Sequence, residues 1–234
     1  MGSGTIVYNG NYQIAVIRRS FMTGVFGWMT LALVITGLLA GWISTTPALR
    51  DVIFRHRILF IMLFVAELFM VIGLTAFIRR ISVNVAIWVF IGFAVLNGIT
   101  LSALFYIFTM ESIARAFYIS AGTFGIMSVY GYFTRKDLSH IGNVAGLALI
   151  GILVATLVNL FLPSTTLYWI ISYAGVILFT ALTAYDVQKI KVLSDRASID
   201  RQSWQKGAVI GALLLYLDFV NLFLFFLRIF GGRQ

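Results

Sequence analysis

Asp186, in VILFTALTAYDVQKIK, and Asp218, in GALLLYLDFVNLFLFFLRIF, are carboxylates in or beside the last two apolar runs of this chain. An ionised carboxylate at the centre of a membrane helix costs about 2.5–3.5 kcal/mol, so acids there are rare and point to function. Each is closely preceded by a tyrosine, Tyr185 and Tyr216. If the two meet in a low-dielectric interior they cannot both ionise cheaply, and they titrate as a unit. Such a pair can share a proton. It also offers hard oxygen ligands to a divalent cation, although two carboxylates fall short of the six to eight oxygens calcium prefers. Water, carbonyls or Asn221, three residues after Asp218 on the same helical face, would complete the shell.

The two acids differ in what the sequence says about them. Asp218 lies about 11 residues into its apolar run, roughly 16 Å along a helix. The Leu, Ile, Val and Phe around it more than offset one buried acid, provided it faces protein or water and not lipid. Gly207, Gly211, Leu214, Asp218, Asn221 and Phe225 trace the stripe expected to meet other helices. Asp186 is either a solvated residue near a helix end, beside Lys189, or a deeper one if the helix continues through KIKVL. Glu67, in FVAELFMVIG, is surrounded by apolar residues and needs a partner or a cavity. Arg79 and Arg80 are either membrane-boundary anchors or the source of a latch on an aspartate. Asn97, Thr100 and Ser102 form a small polar patch, either interhelical glue or part of a pathway.

The elements that must position these groups are apolar helices. The 234 residues are 61% hydrophobic and 11% charged, where soluble domains run nearer 45–50% and 25%. Runs of about 20 apolar residues suit a 30 Å hydrocarbon core. Seven spans are predicted, at about 20–43, 58–78, 84–108, 113–133, 143–162, 167–188 and 207–230. They form one all-α transmembrane domain over 1–234, since lipid requires every backbone group to be satisfied within its segment. Continuous apolar runs exclude the alternating strands of a β-barrel. Small-xxx-small spacing at Gly37/Gly41, Gly142/Gly146 and Gly207/Gly211 suits close helix approach.

The net charge of +9 does not indicate nucleic acid, because the 17 Lys and Arg are scattered between apolar runs. Basic residues beside spans reflect topology and anionic lipid. With the N-terminus inside, 11 fall on the inner side and 6 on the outer. This favours a cytoplasmic N-terminus and an outside C-terminus, and the three arginines of the first loop run against it. A re-entrant last segment is the six-span alternative. Cysteine is absent, which excludes disulfides and thiolate sites, and His56 and His140 in polar connections do not make a zinc site. No signal peptide is expected.

The chain resembles the Bax inhibitor-1 (TMBIM) family from about Arg19 to Gly231. The segments that carry the likeness are NGITLSALF at 97–105, AGTFGIMSVYGYFTRKDLS at 121–139, LTAYDVQKIK at 182–191 and LYLDFVNLFLFFLRIFG at 215–231. Short loops and the lack of a polar N-terminal extension are closer to bacterial members, which implies the inner membrane. The resemblance implies seven helices with the last central. It also implies a pH-sensitive calcium leak whose aspartate sensor maps onto Asp186 and Asp218, with calcium as the permeant ion and no cofactor. An arginine latch would map onto Arg79 or Arg80. Binding to a membrane protease is a second implication, and it leaves open a non-conducting regulator.

An intramembrane aspartyl protease is the enzyme rival, since two acids sharing a proton activate water. Tyr185-Asp186 fits its first motif. Leu215-Tyr216-Leu217-Asp218 lacks the glycines of the second, and Pro47-Ala48-Leu49 precedes both acids. The expectation is therefore no enzyme.

Overall fold

The computed structural model describes residues 3–48, 57–78, 80–196 and 201–232. The regular elements among them are helices: α1 Ser3–Thr45, α2 Arg57–Phe77, α3 Val83–Leu101, the short α4 Leu104–Ile107, α5 Met110–Phe133, α6 Ser139–Phe161, α7 Thr165–Arg196 and α8 Arg201–Phe230. Three helix starts carry hydroxyl caps. Ser82 Oγ accepts from the Val85 N–H at 3.3 Å, Thr109 Oγ1 from Ser112 at 3.3 Å and Ser164 Oγ from Leu167 at 3.3 Å. Glu111 adds negative charge to the first turn of α5.

Five stretches are long and apolar enough to cross a bilayer: Arg18–Thr45, Val83–Ile107, Ser139–Phe161, Thr165–Ser194 and Gln202–Phe230. Ile61–Phe77 is a shorter apolar helix, about 25 Å at 1.5 Å per residue. The predicted 113–133 segment is helical, as α5, but it is not among these five stretches. The predicted 84–108 helix is interrupted after Leu101. There the Ser102 N–H turns to the Gly98 and Ile99 carbonyls and its hydroxyl to Ile99 O at 2.6 Å, closing the helix with a tight turn. Most of residues 189–206, between the last two predicted spans, is helical, since α7 runs to Arg196 and α8 begins at Arg201.

The chain forms two compact units, Met1–Ala103 with Ile190–Leu213, and Leu104–Lys189 with Leu214–Gln234. In the first, α1 packs along α3 and α2 also packs on α3. A Cβ on Gly98 would lie 2.9 Å from the Thr36 carbonyl, and the buried Thr36 hydroxyl donates to Ala94 O at 2.8 Å. The first part of α8 belongs to this unit, where Gly211 faces Val25, and Trp204 packs edge-on against Phe21 at 5.7 Å. Of the predicted glycine pairs, Gly207/Gly211 makes such contacts. At Gly37 and Gly41 a methyl group would meet nothing within 4 Å, so spacing alone did not identify the close approaches.

In the second unit α5 and α7 pack against the later turns of α8, and α6 packs against α7. Phe219 sits edge-on to Phe117 and Phe124 of α5 at 5.5 and 5.6 Å. Phe225 lies against Gly175 of α7, leaving no space for a side chain, and stacks on Phe179 at 5.8 Å. The chain after α8 returns to α5 through the Gly232 N–H, which donates to Ser112 Oγ at 2.9 Å. The last apolar span is the most enclosed of the five, with 67% of its apolar window buried against 6–44% in the others. A helix apolar on all sides is the kind that interiors bury. The expected single stripe is therefore corrected: Leu214 and Asn221 on it are half-buried, while Leu213, Leu215, Tyr216 and Leu222 off it are buried completely.

Candidate functional site: the buried aspartate pair

Asp186 lies ten residues before the end of α7, because that helix continues through KIKVL to Arg196. This resolves the choice left by the sequence in favour of the deeper position. Leu182, Thr183, Asp186, Val187 and Ile190 recur at helical spacing and are all buried, so the acid belongs to an inward face. Asp218 lies within α8, in the second unit, after the fully buried Leu215 and Tyr216. The two side chains are 7% and 4% exposed, and they are hydrogen-bonded to each other.

Two carboxyl groups can hydrogen-bond only when one carries a proton. Without it, unit charges about 4 Å apart repel by about 4 kcal/mol even at an effective dielectric near 20. That exceeds the cost of placing one acid in a membrane helix. A proton on either acid, or a cation beside them, would relieve that repulsion. Asp218 Oδ2 finds no donor among the described protein groups, which leaves it open to either.

The cation whose field reaches both acids is Lys189, one turn after Tyr185 on α7. Its Nζ lies 5.5 Å from the centroid of the Tyr185 ring. Its spacing of three from Asp186 places it on the same face of the helix.

Glycines bring two further helices to this turn. Gly131 of α5 lies against the Ala184 carbonyl and Gly142 of α6 against the Tyr185 ring, each too close for any side chain. Between those glycines, Gln188 holds the α5–α6 connection: its Oε1 accepts from the Leu138 N–H at 2.9 Å and its Nε2 donates to Lys136 O at 2.8 Å. The connection thus sits over the helix two residues past Asp186. Asp137 steadies the same loop through its Oδ1, which accepts from the Ser139 N–H at 2.9 Å. The Ser139 hydroxyl and N–H hold the Asp137 carboxyl below its ordinary value near 3.8.

The remaining residues singled out by the sequence lie elsewhere. Glu67 is buried in the first unit, where Thr100 donates its hydroxyl to Oε1 and Asn97 its amide to Oε2 at 3.3 Å. The polar patch at 97–102 and the isolated acid are therefore one cluster. Asn221 donates to its own helix at Leu217 O, 2.8 Å away. That amide hydrogen is committed to the backbone. Arg80 is exposed in the turn after α2, and Arg79 falls outside the described residues. Among the described residues no group of three or more His, Cys, Asp or Glu converges as a metal site. Any cation held by the pair would draw its other ligands from hydroxyls, carbonyls or water.

The model of the family described as inhibitor of apoptosis-promoting Bax1 matches residues 18–234. The Escherichia coli inner membrane protein YbhL is 44% identical over 92% of this chain and 93% of its own length. A Deinococcus radiodurans protein is 40% identical over 92% of each, and one from Borreliella burgdorferi 39% over 95% and 96%. With the match running through both aspartate helices and the bundle around them, the chain belongs to the Bax inhibitor-1 family of multi-pass membrane proteins.

Proposed function

We propose that this protein is a pH-sensitive leak pathway for calcium or a related cation, gated by protonation of Asp186 and Asp218. The observation that carries this reading is the pair itself, two hydrogen-bonded carboxyls buried in the second unit. Removing the shared proton leaves either a repulsion or a cation-binding charge, so proton and cation compete for one position. Lys189 moderates the charge, and the loop held by Gln188 lies beside the pair. The reading includes seven crossings with α8 central, the N-terminus in the cytoplasm and the C-terminus outside. It places the chain in the inner membrane, in line with the printed name of YbhL. The function is conduction and not catalysis: the glycines that an aspartyl protease needs before its second acid are replaced by Leu215 and Leu217.

The test is calcium flux into proteoliposomes between pH 5 and 8. An asparagine can donate to the facing carboxylate as the protonated acid does. Asp186→Asn and Asp218→Asn should therefore each show a flux independent of pH, close to that of the unaltered protein at low pH. Flux that keeps its pH response in both variants would remove the pair from the mechanism. No flux at all, together with a membrane protease recovered by crosslinking, would favour the non-conducting regulator.

A further inference from the structure

Two buried side-chain atoms find no hydrogen-bond partner among the described protein groups, Ser128 Oγ and Asp218 Oδ2. Both side chains are more than nine-tenths buried, at 7% and 4% exposure. Native interiors leave few such atoms, and an internal water or ion is a common reason for them. Both belong to the same compact unit.

The packing of α5 places Ser128 on the face that meets both acid-bearing helices. The buried residues of that helix, Ser112, Ala116, Ser120, Phe124, Ser128 and Gly131, follow one face at spacings of four and three. On this face Phe124 meets Phe219, the residue after Asp218. Gly131 meets Ala184, two residues before Asp186. Ser128 is one turn past the first contact and one turn short of the second. Its side chain is thus carried toward the two acid-bearing turns.

The behaviour of the neighbouring hydroxyls sharpens the point. Ser120, Ser172 and Thr183 each donate to the carbonyl four residues back, all at 2.7 Å. This is the ordinary solution for a hydroxyl inside an apolar helix. Ser128 does not make that bond to Phe124, although the geometry of any helix offers it. Its lone pairs and its proton face the interior uncommitted.

We infer that Ser128 Oγ is a third oxygen of the aspartate site, a neutral ligand that joins Asp186 and Asp218 around a hard divalent cation. The inference rests on the cation reading above and adds a ligand to it. Two carboxylates supply charge, and the hydroxyl adds a donor atom that protonation does not remove over the working pH range. Water and backbone carbonyls fill the rest of the shell.

Terbium(III), a luminescent calcium substitute, tests this in the detergent-solubilised full chain. Its affinity is measured by titration against calcium, and lifetimes in H2O and D2O count its bound waters. Ser128→Ala should weaken terbium roughly tenfold, the scale of one lost bond to a charged partner. It should also admit about one extra water to the ion's shell. Ser128→Thr, which keeps the hydroxyl, should retain both values. Unchanged affinity and hydration in Ser128→Ala would overturn the inference, as would an equal loss in the Ala and Thr variants, which would mark a packing effect. Thermal unfolding of both variants controls for folding. Terbium binding that ignores Asp186→Asn and Asp218→Asn, or no binding at all, would overturn the underlying cation reading together with this ligand. Binding that needs the acids but ignores Ser128 would overturn the ligand alone.

Discussion

Gly131 of α5 lies directly on the Ala184 carbonyl of α7, with no space between the two backbones for even a methyl group. Ala184 is two residues before Asp186, so this contact sets how near α5 can come to the acid pair. It also explains how α5 can pack closely against α7 within their unit. Its small residues allow an approach that hydrophobic side chains would prevent.

Substitution at this contact should be costly in proportion to the crowding. Gly131→Ala is expected to lower stability by about 1–3 kcal/mol, the usual range for overpacking. Gly37→Ala, where a methyl would meet nothing within 4 Å, should be neutral or stabilising by up to about 1 kcal/mol through helix propensity. Equilibrium unfolding in mixed micelles compares the two. Equal effects would show that the Gly131 contact is not a tight one.

Gln188 should govern access to the loop between α5 and α6. Gln188→Ala removes the acceptor of the Leu138 N–H and the donor to Lys136 O. A loss of about 1–3 kcal/mol of local stability follows from leaving such groups unpaired. Trypsin reports it directly, since Arg135 and Lys136 lie in that loop. Cleavage there should become faster in Gln188→Ala, while cleavage at other basic sites stays the same.

Asp137 gives the loop an acid sensitivity whose sign can be worked out. Its carboxyl is held below the ordinary value near 3.8 by the Ser139 hydroxyl and N–H. A group depressed on folding contributes stability above its unfolded value, and that contribution is lost as pH falls through the lower folded value. Asp137→Asn, which keeps the acceptor oxygen without the charge, should therefore flatten the loss of thermal stability below about pH 4. Its difference from the unaltered protein should shrink toward the most acidic end. Melting curves between pH 2 and 6 decide this.

Glu67 should tolerate amide replacement better than truncation. Glu67→Gln retains an oxygen to accept from Thr100 or Asn97, so its effect on stability should stay below about 1 kcal/mol. Glu67→Ala opens a cavity between α2 and α3 and removes both acceptors, with an expected loss of about 2–4 kcal/mol. Unfolding of the two variants side by side tests the difference. A larger loss for the amide would show that the charge itself stabilises the first unit.

The sequence by itself determined the class of the molecule, the position of most helices and the cost of Asp218. Those depend on composition and on apolar run length, which are local properties. It also marked Glu67 as an acid in need of a partner, for the same reason. Helix ends followed less well, because hydropathy stops at the last apolar residue while the backbone continues. α7 runs on past its apolar run, and that continuation made Asp186 a buried residue. Tertiary structure alone decided which groups meet. The contact of Asp186 with Asp218, the bond of Glu67 to Thr100 and the choice of Gly131 over Gly37 are relations between different helices. Their cause is backbone proximity, and no spacing within one helix encodes the distance to another.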